Sequence, residues 1–215
     1  EVTTAINKMK SGKATGPDDI PAEVWKLLGT QGAAWLADLF NKITEEKAPP
    51  EMWQTSITVP IWKGKGDVND CSNYRPIWLL CHTMKIFERV LYLAKPMRLC
   101  EKLRNNRRHT RSPPTDAHNL IWLALLQHHV PEGFVSWTKL LYQKATSSVR
   151  CAAVTSDTFP VNVGIHHVGS VLSPLLFILC MDTVNKDIQT RHPWTLLYAD
   201  DVMRASETRH SLEQQ

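Results

Sequence analysis

Apolar residues recur at helical spacing through the first part of this chain and alternate more strictly in the second, and these two periods lay out its elements. Val24, Trp25, Leu27 and Leu28 make a short stripe after the turn Gly16-Pro17-Asp18-Asp19, with Pro21 suited to a first helical position and Gly29 closing the run. A second helix is predicted from about Ala33 to Glu46, with Leu36, Leu39, Phe40 and Ile43 on one face and Pro49-Pro50 ending it. Ile57 to Trp62 reads as a strand, Lys63 to Asp67 as a loop, Asn73 to Ile77 as an extended piece, and His82 to about Leu93 as helix again. The rhythm fails across 100–118, where charge is high and Pro113-Pro114 interrupts. Leu120 to Gln127 and Pro131 to Lys144 then read as two helices. Ser148 to Val154 and Phe159 to Ile165 alternate, which predicts a hairpin around Thr155 to Thr158 with Val149, Cys151 and Ala153 facing Phe159, Val161 and Val163. Ser173-Pro174 reads as an N-cap and a first-turn proline, opening an apolar helix through Met181 toward Gln189. Two strands of buried type, Trp194 to Tyr198 and Val202 to Met203, close the pattern, which is mixed α+β without internal repeats.

Composition narrows the class. With 43% hydrophobic and 21% charged residues over 215 positions, the chain is expected to be a globular protein of one or two domains. No apolar run approaches the roughly 18–20 residues of a membrane span, and an intracellular location is expected. The chain starts at Glu1, without a secretory signal, and reads as a piece of something longer. Five cysteines lie far apart with no Cys-x-x-Cys pair, as expected of free thiols in a reducing compartment. The doublets His128-His129 and His166-His167 lack the i, i+4 spacing of a helical zinc site. A net charge of +4 permits a polyanionic partner without requiring one. The densest basic run, Arg104, Arg107, Arg108 and Arg111, suits either phosphate contacts or a solvated loop.

Chemistry concentrates at Tyr198-Ala199-Asp200-Asp201-Val202. Two adjacent carboxylates at a tight turn between apolar strands repel one another unless a cation neutralises them. Hard divalent ions take one or two protein carboxylates and fill their remaining positions with water and substrate phosphates, the arrangement used in phosphoryl and nucleotidyl transfer. A solvated Asp-Asp turn closing an ordinary hairpin fits the same residues. The loop Lys63-Gly64-Lys65-Gly66-Asp67 lacks the spacing of a nucleotide-binding P-loop.

Four phrases in order carry a resemblance: Lys13-Ala14-Thr15-Gly16-Pro17-Asp18, Asn73-Tyr74-Arg75-Pro76-Ile77, Gly169-Ser170-Val171-Leu172-Ser173-Pro174-Leu175-Leu176-Phe177, and Tyr198-Ala199-Asp200-Asp201. Together they resemble the reverse-transcriptase domain of a non-LTR (LINE-type, RTE-like) retrotransposon, from Ile6 to about Ser206. The resemblance implies a right-hand polymerase, with fingers in 1–110 and a partial palm in 111–215. It also implies two-metal copying of an RNA template from a DNA primer with deoxynucleoside triphosphates and Mg²⁺ or Mn²⁺. Asp200 would be the catalytic metal ligand, with Asp201 a second, less direct carboxylate. Arg75 would meet the incoming triphosphate through paired N–H donors, and Lys63 and Lys65 the template backbone. Gly169 and Ser170 would lie where backbone approaches the template–primer, and Tyr198 near the primer terminus. A surface ion pair for Arg75, a solvated loop for the lysines and a buried hairpin tyrosine are the ordinary alternatives.

The sequence also departs from the family pattern. A third carboxylate belongs on a palm strand between a Thr-Asp-Ala phrase and the helix containing Leu-Ile-Trp, yet Thr115-Asp116-Ala117 runs almost directly into Leu120-Ile121-Trp122. That strand and its aspartate are expected to be missing as a block. A Gly-Phe-Arg phrase is not reproduced in Arg107 to Pro114, His166-His167-Val168 replaces the usual Gln before Gly169, Trp78 stands where a small polar residue is customary, and Arg204 takes an apolar position. The palm is therefore expected to be incomplete, with an exposed sheet edge and no thumb. The expectation is a domain unable to polymerise. A non-catalytic nucleic-acid-binding module and a remnant without a partner are the alternatives.

Overall fold

The computed structural model describes residues 1–94, 117–142, 144–161, 170, 172–184, 194–198, 201–205 and 209–210. The chain divides into two compact units that interleave in sequence. The first comprises Glu1–Lys95, Glu132–Asn162 and His166–Leu172; the second comprises Pro96–Pro131, Val163–Ile165 and Ser173–Gln215.

The first unit begins with three helices, α1 (Val2–Asn7), α2 (Ala22–Leu27) and α3 (Gly29–Glu46). In α3 the buried positions Ala33, Leu36, Phe40 and Ile43 follow the three-and-four spacing of one helix face. Lys47, left-handed at φ 49°, stops it just before Pro49-Pro50. Pro21 sits one residue outside α2 rather than at its first position, because its extended backbone (ψ 153°) is that of a cap. After a short 3-10 turn at Glu51–Trp53, β1 (Thr55–Trp62) and β2 (Tyr74–Leu79) form an antiparallel pair in which Val59 opposes Ile77 and Ile61 opposes Arg75. Helix α4 (His82–Ala94) follows directly and, with α3, packs against α1. The core here is aromatic: Phe87 holds Phe40 at 5.1 Å, Trp53 at 5.1 Å and Trp137 at 5.5 Å between ring centroids. Trp137 comes from α6 (Glu132–Tyr142), which Pro131 immediately precedes.

Strand β3 (Thr146–Val149) extends the sheet parallel to β1, and β4 (Phe159–Pro160) pairs antiparallel to β3, giving the order β2-β1-β3-β4. The seam between β1 and β3 buries hydroxyls instead of methyl groups. Thr58 and Ser147 share a hydrogen bond of 2.7 Å, Ser56 Oγ donates to the Thr146 carbonyl at 3.1 Å, and Ser147 Oγ donates to the Ser56 carbonyl at 3.3 Å. Each buried hydroxyl is thus satisfied, as burial demands. The alternation read over Ser148 to Val154 does not hold. The ladder pairs Ser147 with Phe159 and Thr146 with Pro160, so Cys151, Ala152 and Ala153 belong to an exposed connection closed by an Arg150–Thr155 bridge. A parallel partner on β1 selects the Ser/Thr stretch for pairing, which outweighs apolar alternation. The arm beyond Val161 lies outside the described residues.

The second unit contains α5 (Ala117–Gln127), α7 (Leu172–Val184) apart from its first residue, and the hairpin β5 (Trp194–Tyr198) and β6 (Asp201–Ala205). In α7, Leu175, Leu176, Leu179, Cys180 and Met181 are all buried, as expected of a helix apolar on most sides. It starts at Leu172, so Ser173 is a fully buried first-turn residue rather than the cap. The predicted continuation toward Gln189 lies outside the described residues. The architecture is α+β with one mixed four-stranded sheet, and no helix among the described residues is long and apolar enough to cross a membrane.

Candidate nucleic-acid interface and aspartate hairpin

In the β5–β6 ladder, Trp194 pairs with Ala205, Leu197 with Val202 and Tyr198 with Asp201. The tight Asp hairpin read from the sequence is therefore present, but Asp201 is the first residue of β6 rather than part of the connection. Only Ala199 and Asp200 separate the paired residues, and they lie outside the described residues. Asp182, on α7, is the one carboxylate among the described side chains of this unit, and its Oδ2 lies 3.3 Å from Nε2 of His128. Among the described residues no three His, Cys, Asp or Glu side chains gather as a metal site. Carboxylates are the hard donors that Mg²⁺ or Mn²⁺ takes, and the side chains of Asp200 and Asp201 lie outside the described residues.

The first unit holds the other predicted positions. Lys63 and Lys65 occupy the β1–β2 connection, which is built on its own hydrogen bonds. Asp67 Oδ1 accepts from the Asn69 amide at 2.9 Å, Asp70 Oδ1 accepts from the Ser72 amide at 2.9 Å, and Lys63 Nζ donates to the Ser72 carbonyl at 2.7 Å. The Ser72 hydroxyl and amide hold the Asp70 carboxyl below its ordinary range. Gly64 and Gly66 take φ of 77° and 83°, a backbone that explains the glycines between the lysines. Lys65 is exposed, and Lys63 has one donor committed to the loop. Ser170 is buried, with Oγ donating to Glu88 Oε1 at 2.9 Å. Gly169 lies outside the described residues, as does the arginine-rich run at 104–111.

Arg75 is exposed on β2, opposite Ile61. Residues directly opposed on antiparallel strands share a face, which puts Arg75 on the same side of the sheet as Ile61, Val59 and Ile77. That face forms one wall of a cavity of about 930 Å³. Its other walls carry six cations, Lys8, Lys10, Lys13, Lys85, Arg89 and Arg150, and no aspartate or glutamate. Local packing sets the stretch 8–13 in place. Gly12 N–H donates to Glu23, and Lys26 Nζ donates to Ser11 Oγ at 2.9 Å. Gly16 lies so close to the Leu80–Cys81 backbone that a Cβ there would meet Cys81 N at 2.5 Å. This close approach gives the phrase Lys13-Ala14-Thr15-Gly16-Pro17-Asp18 a physical reason. Lys85 is only 7% exposed, and burial lowers its pKa although Glu88 counteracts this. His82, 2% exposed and with both ring nitrogens lacking partners, is also held below its ordinary value by burial. The sequence reading passed over this cluster because its cations come from three separate stretches, none of them dense. The visible signal was the spaced trio Lys8, Lys10 and Lys13.

Residues 61–215 match the family described as reverse transcriptase (RNA-dependent DNA polymerase). The chain belongs to that family, as a reverse-transcriptase domain of the non-LTR retrotransposon kind. Two relatives from Drosophila melanogaster are similar to it. One is the RNA-directed DNA polymerase from mobile element jockey, and the other the probable RNA-directed DNA polymerase from transposon X-element. Each is 32% identical over 91 residues, which is 42% of this chain and 10% of the relative's own length.

Proposed function

We propose that this chain is a reverse-transcriptase domain that retains the machinery for holding nucleic acid but has lost the capacity to polymerise. The observation that carries this reading is in the sequence, where Thr115-Asp116-Ala117 runs almost directly into Leu120-Ile121-Trp122 of α5. In the family pattern a strand bearing the third carboxylate would intervene there. Asp182 makes a poor substitute, since it is already paired with His128. A carboxylate shared between two ions holds them about 3.5–4 Å apart, and the adjacent pair Asp200 and Asp201 leaves that bridge unfilled.

In this reading residues 1–110 are fingers-like and 111–215 a partial palm, of RTE-like lineage. A divalent ion, when bound, supplies activation of a primer 3′-hydroxyl and neutralisation of the leaving pyrophosphate. The chain's own groups bind and position. Asp200 and Asp201 hold one ion weakly, and Arg75 faces the triphosphate with a planar fork suited to phosphate oxygens. Lys63 and Lys65 meet the backbone of an RNA template. Gly169 and Ser170 allow close passage of template and DNA primer, and Tyr198 packs toward the primer end. A Mn²⁺ titration followed by electron paramagnetic resonance tests this directly. One weak site, abolished in an Asp200→Asn/Asp201→Asn variant, is expected. Two coupled sites, as in a complete polymerase centre, would overturn the proposal.

The second reading, a nucleic-acid-binding module without catalysis, is favoured by the cation-lined cavity of the first unit.

A further inference from the structure

We infer that the cavity lined by α4 and the β1–β2 sheet binds a carboxylic acid with a long apolar body, its head on His82, Lys85 and Arg89 and its body along the sheet face. This is a small-molecule site within the first unit, and it rests neither on the nucleic-acid reading nor on any copying activity.

The three head-binding groups follow one another along α4 at spacings of three and four, which puts them on one helix face, and all line the cavity. They differ from the lysines contributed by the α1 region. Lys8, Lys10 and Lys13 are exposed, which suits a hydrated polyanion, whereas His82 is 2% exposed and Lys85 7%. Both ring nitrogens of His82 and Nε of Arg89 are buried without a hydrogen-bond partner among the described residues. Buried polar groups left unbonded are uncommon, because each costs free energy until something bonds to it. A carboxylate accepts from several donors at once and matches the guanidinium fork. No aspartate or glutamate lines the cavity to do this from within the chain.

The remaining wall decides what the head is attached to. Val59, Ile61, Ile77, Trp78 and Leu79 present apolar surface to the same space, and an apolar body laid there leaves water together with the wall. The volume, about 930 Å³, falls in the roughly 300–1,000 Å³ range of small-molecule sites, where apolar walls surround a few convergent polar groups. A triphosphate would carry several charges into a largely dehydrated end, and each is costly to strip of water. A single carboxylate carries one.

The head also couples binding to protons. Burial, and then Lys85, hold His82 below its ordinary 6.5, while Asp18 and Glu23 face it without lining the cavity and pull the other way. A bound carboxylate adds a negative neighbour and favours the protonated ring. Binding therefore takes up a proton, and affinity rises as pH falls through the neutral range.

The test uses the full chain and the fluorescent acid dansylaminoundecanoate, read by dansyl emission and by competition. Saturable one-to-one binding with a blue-shifted emission is expected. Dodecanoate should displace the probe, and dodecanol, the same chain without the charge, should be at least about 10-fold less effective. Arg89→Gln should weaken probe binding at least about 10-fold, the worth of a hydrogen bond to a charged group. Affinity should rise at least about 3-fold from pH 8 to pH 6 in the unaltered chain and stay flat in His82→Gln. Because Arg89 and His82 are partly or fully buried, Ile61→Glu guards against misfolding. Ile61 is 48% exposed on the apolar wall, and the new charge should weaken binding by a similar factor. Lys42→Ala, on α3 and paired with Glu46, should bind as the unaltered chain does. Unchanged affinity in both Arg89→Gln and Ile61→Glu, a flat pH profile in the unaltered chain, or equal displacement by dodecanol would overturn the inference. So would displacement of the probe by uridine triphosphate at lower concentration than by dodecanoate, which would mark the space as a phosphate site. Each of these results would leave the family assignment and the inactivity proposal standing.

Discussion

The Ser170 hydroxyl donates to Glu88 Oε1 at 2.9 Å, joining positions 82 apart in sequence across a buried contact. Glu88 is fully buried on α4, and Ser170 lies two residues before α7. A buried carboxylate tolerates its position only while its oxygens are satisfied. Ser170→Ala should therefore lower stability by about 0.5–1.5 kcal/mol, the net worth of one hydrogen bond. Urea denaturation followed by far-UV circular dichroism measures this. An unchanged midpoint would mean that water or another group takes over the oxygen.

Phe87 should be the costliest single truncation in the first unit. Its ring is 2% exposed and touches Phe40, Trp53 and Trp137 at once. Phe87→Ala removes that hub and leaves a void, for a loss of about 3–5 kcal/mol. The same denaturation assay reads it, and a loss under 1 kcal/mol would contradict the packing described.

Gly16 is a second sensitive point, for a different reason. Gly16→Ala places a methyl against the Cys81 amide and the Leu80 carbonyl, where backbone on one side must move. A loss of at least about 1 kcal/mol is expected.

Acid should destabilise the chain through His82. Burial, and then Lys85, hold its pKa below the ordinary 6.5 in the folded state, while Asp18 and Glu23 pull the other way. Because the unfolded chain takes up the proton more readily, this contribution is intact above about pH 6.5. It is lost as pH falls from there toward the lower folded value. Denaturation midpoints from pH 8 to pH 5 should decline more steeply in the unaltered chain than in His82→Gln. Parallel curves would rule His82 out as the cause.

The thiols should divide by burial. Burial pushes Cys81 and Cys180 up to about 12, so both should resist iodoacetamide at pH 8 in the folded chain and react on unfolding. Cys71 and Cys151 are exposed and should label in the folded state. Modification of Cys180 without denaturant would contradict its burial in α7.

The buried face of α3 was legible because its apolar spacing is strong, whereas the stripe read over Val24, Trp25, Leu27 and Leu28 buries only Trp25. Leu36, Phe40 and Ile43 read as a buried face from sequence, and they are one. The Asp hairpin was legible too, since its strands are apolar and its connection short, though the ladder moves Asp201 into β6. The β3–β4 hairpin was misread because its pairing is decided by a distant parallel strand. Buried Ser56, Thr58 and Ser147 carry no hydrophobic signal, so alternation pointed to Val149, Cys151 and Ala153 instead. The cavity was invisible for the same physical reason, as Lys8, Arg89 and Arg150 meet only through tertiary structure. Family phrases pointed to Arg75, and the β1–β2 register puts it on the same side of the sheet as Ile61, Val59 and Ile77.

Primer extension on an RNA template bears most directly on the claim that an adjacent aspartate pair without a third carboxylate does not polymerise. With Mg²⁺ or Mn²⁺, a DNA primer and all four deoxynucleoside triphosphates, the chain should extend no more than its Asp200→Asn variant does. Robust extension that disappears in Asp200→Asn would contradict the account.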